Sequence, residues 1–230
     1  MNIHAKRAAA GVCGAAGLLL AAAAFGHGVE GDDQAFMLNG DGPLIGPYIY
    51  LGAKHMVTGY DHLLFLAGVM FFLYRLRDVA LYVSLFAVGH SVTLLVGVLG
   101  GLHVNAYIVD AIIGLSVAYK AFENLGGFAR LGLNPDTRIA VLVFGLFHGF
   151  GLATKLQDLA ISPNGLVTNM ISFNVGVELG QFLALGFILL ALNALRASGQ
   201  FFRFASATNV AIMCAGFLLI GYQLTGYATA

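Results

Sequence analysis

The sequence predicts an all-α integral membrane protein, and three observations carry the prediction. The 230-residue chain is 59% hydrophobic and only 10% charged, where a water-soluble domain carries about 25% charged residues. Its few charges gather in short clusters between long apolar runs. Those runs reach the about 20 residues of helix that a bilayer crossing needs. Formal net charge is zero and no basic stripe stands out, which removes nucleic acid as a partner and leaves the lipid bilayer in its place. Two cysteines, Cys13 and Cys214, are too few for a disulfide framework or a thiolate metal cage.

Taken in order, residues 1–26 have the form of a secretory signal peptide: MNIHAKR is a basic start, AAAGVCGAAGLLLAAAA an apolar run, and AFG a small-residue end. Residues 27–44 form a polar segment outside the membrane, expected to be loop from Gly28 to Asp41. Residues 45–230 form a transmembrane domain of six helices, with spans expected at about 56–74, 79–99, 104–122, 138–154, 168–192 and 204–226. Lysine and arginine favour the cytoplasmic side. With both mature termini outside, Arg75, Arg77, Lys120, Arg130, Arg138, Arg196 and Arg203 fall on that side, and only Lys54 and Lys155 fall opposite.

FAVGHSV at 86–92 resembles FNVGVEL at 173–179, and a histidine precedes each, His62 and His148. Spans 1–3 and 4–6 therefore read as a 3+3 inverted repeat, an arrangement in which transporters place substrate between the halves.

Several polar residues stand where hydrocarbon is expected. A charged side chain at the centre of a span costs about 2.5–3.5 kcal/mol on insertion scales, so each needs a partner or a cavity. Asp61 and His62 fall in the first span, six and seven residues after His55; His90, Asp110, His148 and Glu178 fall in the second to fifth. At about 1.5 Å per residue they share the outer half of the bilayer, at roughly 9–15 Å. Asn174, Glu178 and Gln181 follow i, i+4, i+7, one stripe expected to face the bundle. Gly145-xxx-Gly149 flanks His148 and Gly176-xxx-Gly180 flanks Glu178; small residues four apart let membrane helices approach closely, so the fourth and fifth spans are expected to pack together.

Imidazole and carboxylate groups suit nickel, cobalt, zinc or copper(II), and the lack of thiolates argues against copper(I). The expected ligands of a divalent transition metal are His55, Asp61, His62, His90, His148 and Glu178, with Asp110, Asn174 and Gln181 in support. Glu123 and Asn124 read as interfacial residues.

HMVTGYDHLLF, FAVGHSVTLL, FGLFHGFGLA and FNVGVELGQ together resemble the HupE/UreJ family of nickel and cobalt permeases, in its second branch. The resemblance covers roughly residues 45–195. It matches His55, Asp61 and His62 to the family's histidine and Asp-His pair, and Phe147, His148 and Gly149 to its Phe-His-Gly segment. It implies a bacterial inner-membrane protein that takes metal into the cytoplasm; the lysine and arginine count puts both mature termini in the periplasm, and the chain is expected to be no enzyme. In the better-known branch a second histidine and a glutamate follow Phe-His-Gly, whereas this chain reads FHGFGLATK; His90 and Glu178 are the expected replacements. Two other readings stand beside the permease. One is an intramembrane zinc hydrolase with His62, His90 and His148 as ligands and Glu178 or Asp61 as base. The other is a metal-delivery subunit acting with a protein partner or as a homo-oligomer.

Overall fold

A computed structural model describes residues 32–159 and 161–230. The expected signal peptide lies outside the described residues. Those residues form helices with no strand: α1 (Asp32–Asn39), α2 (Ile45–Thr58), α3 (Tyr60–Met70), α4 (Leu76–Gly100), α5 (Ala106–Asn124), α6 (Gly127–Arg130), α7 (Thr137–Asp158), α8 (Leu166–Ala197) and α9 (Phe201–Thr229). Among them α4, α7, α8 and α9 are long and apolar enough to cross a membrane. Their outward faces carry Val88, Val92, Phe182, Phe187, Phe217 and Leu218, all exposed, which hydrocarbon would cover.

Helix ends follow local chemistry. Asn105 and Asp136 cap α5 and α7, their side-chain oxygens accepting from the backbone N–H groups of Ile108 at 3.2 Å and Arg138 at 2.8 Å. Gly101 ends α4 in the left-handed region at φ 62°, and the Leu102 N–H donates back to Gly97 O at 3.0 Å.

Two expectations are corrected at the amino-terminal end. The stretch expected as loop contains α1, whose Met37 is fully buried. The first apolar segment is also not one helix from 56 to 74; it begins at Ile45 and breaks at Gly59, with backbone φ −73° and ψ 96°. Helix α3 then stops at Met70, where the Arg196 guanidinium donates to the carbonyls of Met70, Phe71 and Leu73 at 2.9–3.2 Å. It also lies 4.3 Å from the Tyr74 ring centroid.

Three helix pairs carry most of the packing: α2 with α8, α4 with α7, and α5 with α9. Glycines set each crossing. A Cβ at Gly52 would fall 2.0 Å from Phe173 O, and one at Gly176 would fall 2.0 Å from Ile49 O. Gly145 and Gly149 abut α4, where an added Cβ would lie 2.6 Å from Phe86 O and 2.1 Å from His90 O respectively. The two glycine pairs therefore join α7 to α4 and α8 to α2, and the expected pairing of the fourth and fifth spans is wrong. A small-residue motif specifies close approach but carries no information about the partner. At the opposite end of α5, Lys120 pairs with Glu123 at 2.7 Å, Thr137 donates to Glu123, and Asn124 bridges Gly68 O and Asn209.

Candidate metal centre

The break at Gly59 builds one side of the site. A Cβ there would lie 2.8 Å from His62 Nδ1 and 3.2 Å from Asp61 Oδ1, so the missing side chain leaves room for this pair to fold back over the break. Asp61 Oδ1 accepts from both the backbone N–H and Nδ1 of His62, each at 2.8 Å. A carboxylate only accepts, so Nδ1 carries the proton and Nε2 keeps its lone pair, the usual way a carboxylate orients a ligating histidine. His148 is arranged alike by a backbone carbonyl: its Nδ1 lies 2.8 Å from Phe144 O.

Four histidines converge. His62 lies 5.2 Å from His55, 5.6 Å from His90 and 4.9 Å from His148 between ring centroids. His55, His62 and His90 each offer a nitrogen within 4.8 Å of the others. Two nitrogens bound to one ion at about 2.1 Å lie at most about 4.2 Å apart, so a small ring rotation closes the set on an ion. Phe65 and Phe86 wall the group, 5.4 and 5.0 Å from the His148 ring. His62 Nε2 and both ring nitrogens of His90 are buried with no hydrogen-bond partner among the described residues, although His62 and His90 are only 3% and 1% exposed. Buried polar atoms are nearly always satisfied, so these nitrogens mark a place for a ligand, and neutral imidazoles suit a divalent transition metal.

His90 is the fifteenth residue of the 25-residue α4 and His148 the twelfth of the 22-residue α7, both near mid-helix. Ten residues of helix follow each of them, a rise of about 15 Å.

A small cavity of about 10 Å³ touches His55, Asp61, His62 and His148, room for about one water-sized sphere. Asp110 lines it, with its Oδ2 held 2.8 Å from Lys155 Nζ. Glu178 is not brought to this group: it is exposed and lines a separate groove between α4 and α8 with Ser84 and Ser91. Of its stripe, Gln181 is buried and donates to Val83 O at 3.3 Å, and Asn174 is half-buried. Lys155 was missed as a site residue; its signal was the seven-residue spacing from His148, which places both on one face of a helix.

Asp61→Asn is expected to weaken nickel or cobalt binding on the order of 10–100-fold, the usual cost of losing the group that orients a ligand. Calorimetric titration of the purified protein checks this, and unchanged affinity would remove Asp61 from the site.

No curated protein and no solved structure matches the chain. A family model described as HupE / UreJ protein matches residues 31–230. With the histidine and Asp-His pair of α2 and α3 meeting the Phe-His-Gly segment of α7 in one pocket, and with the match covering most of the sequence, the chain belongs to the HupE/UreJ family.

Proposed function

We propose that this protein is a secondary permease that takes a divalent transition metal, nickel or cobalt first, across the bacterial inner membrane, with both mature termini periplasmic. The family is associated with nickel and cobalt transport. The observation that carries the reading is the set of buried imidazole nitrogens at His62 and His90 that meet no hydrogen-bond partner among the described residues. His55 and His148 complete the histidine pocket, Asp61 orients His62, and no catalytic step is involved.

Six crossings are proposed: α2 and α3 together, then α4, α5, α7, α8 and α9. Helix α5 counts because Asp110, Lys120 and Glu123, which lower its hydropathy, each have an ion-pair partner. The packing also supports two inverted halves. Exchanging spans 1–3 for 4–6 turns the α2–α8 pair into α7–α4 and leaves α5–α9 unchanged. Gly52 against Phe173 O then corresponds to Gly145 against Phe86 O, and Gly114 against the Ile220 N–H to Gly216 against the Ala118 N–H. The His55 ring, 6.1 Å from Phe173, corresponds to His148, 5.0 Å from Phe86. His148 thereby matches His55 rather than His62. Substrate at the junction of two such halves suits alternating access.

The membrane potential supplies a driving force of about 4.6 kcal/mol per 100 mV for a doubly charged ion. The test is uptake of radiolabelled nickel and cobalt into proteoliposomes holding an inside-negative potential. Wild type is expected to accumulate metal and His62→Ala to fall to the protein-free background. Equal uptake by the two would end the proposal, and tightly held zinc without any uptake would favour the hydrolase reading.

A further inference from the structure

One wall of the histidine cavity is an ion pair. Lys155 Nζ lies 2.8 Å from Asp110 Oδ2, with side chains 23% and 8% exposed, and both residues line the cavity. Gln223 donates to the same Oδ2 at 3.3 Å. The other carboxylate oxygen, Oδ1, is buried with no hydrogen-bond partner among the described residues. Gly151 makes room for it, since a Cβ there would lie 3.2 Å from that oxygen.

A lysine is an odd wall for a pocket that receives cations. Its ammonium has no lone pair and cannot ligate a metal, and at this range it repels a second positive charge. Asp110 compensates it while retaining a spare acceptor. Of the two, Lys155 has the path outward: it lies in the last turn of α7, it is the more exposed, and its stem is long and flexible.

We propose that Lys155 is a tethered stand-in cation that closes the mouth of the site. It holds Asp110 while the pocket is empty and swings toward the end of the bundle when a divalent cation arrives, whereupon Asp110 turns its carboxylate to the incoming ion. The identity of that ion rests on the permease reading; the closure does not.

The test separates the two. In a full-length chain with Cys13 and Cys214 replaced by serine, Leu152→Cys places a thiol on the cavity wall. Its reaction with neutral methyl methanethiosulfonate is followed in the absence of metal. Lys155→Met is expected to speed modification about tenfold, as for an open state about 10% populated in the wild type, while Lys155→Arg stays slow. The double variant Lys155→Met with Asp110→Asn leaves no unpaired buried charge and is expected to react fast as well, so a folding failure of the single variant does not obscure the result. Nickel titration provides the second arm: Lys155→Met is expected to bind more tightly than wild type, and Asp110→Asn more weakly. Unchanged thiol reactivity in both Lys155→Met chains overturns the closure, even if nickel binds. Fast reactivity in a protein that binds neither nickel nor cobalt upholds the closure and overturns the permease reading instead.

Discussion

His90→Phe abolishes high-affinity nickel and cobalt binding while leaving the metal-free protein as stable as wild type, or more so. Both halves of this expected result follow from one feature. The His90 ring is 1% exposed, stands 5.6 Å from His62 and 6.1 Å from Phe86, and has two nitrogens with no hydrogen-bond partner among the described residues. In an ordinary core such an imidazole would be a defect. Leaving a buried polar group unsatisfied costs about 1–3 kcal/mol, and replacing it by an apolar group of similar shape is neutral or stabilising. Phenylalanine fills the space without that cost but offers no lone pair, so the metal loses a ligand. Stability at such a position is given up for function. Calorimetric titration beside thermal unfolding in detergent checks both halves. A lower unfolding temperature with metal affinity intact would show His90 to be a packing residue and would remove it from the site.

Gly149→Ala is the second large effect, and it acts through the backbone. The added Cβ would sit 2.1 Å from His90 O and 2.3 Å from Thr93 Oγ1. Neither atom is the free end of a flexible chain: Thr93 Oγ1 is itself tied to Leu146 O at 2.7 Å. Helices α4 and α7 must separate, and overpacking of this kind costs about 1–3 kcal/mol or more. Because His90 and His148 lie on these two helices, metal binding falls with stability. Gly186→Ala is the control: it lies on the outer face of α8 with nothing within 4 Å of its Cβ position, and no loss is expected. Side-by-side unfolding of the two variants decides the matter, and equal midpoints would refute the close-approach argument.

The sequence made the helical class, and most of the histidine site, legible in advance. Long apolar runs locate α4 and α5 to within a few residues, because a helix facing lipid is apolar over most of its surface. The same measure misplaced the start of the first segment. Helix α2 carries Tyr48, Lys54 and His55 and buries Leu51, Gly52 and Met56 against the bundle, so its averaged hydropathy is diluted. The histidines were legible because an ionisable group in a span demands company. Glu178 obeyed the same rule of thumb and misled: four residues along a helix turn about 40° past Asn174 at 3.6 residues per turn, enough to carry it from the buried face to the rim of the α4–α8 groove. The direction of the glycine pairs and the reach of Lys155 depend on which helices are neighbours, and no local pattern encodes that.

The interruption at Gly59 has an electrostatic consequence. Peptide dipoles along a helix sum to about half an elementary charge of negative sign at its carboxyl end, and α2 terminates beside the cavity that Gly59 lines. The opposing positive end of α3 is met at once by Asp61 in its first turn. A cation placed in that cavity would therefore meet a field of favourable polarity, generated by main-chain amides that no side-chain substitution removes.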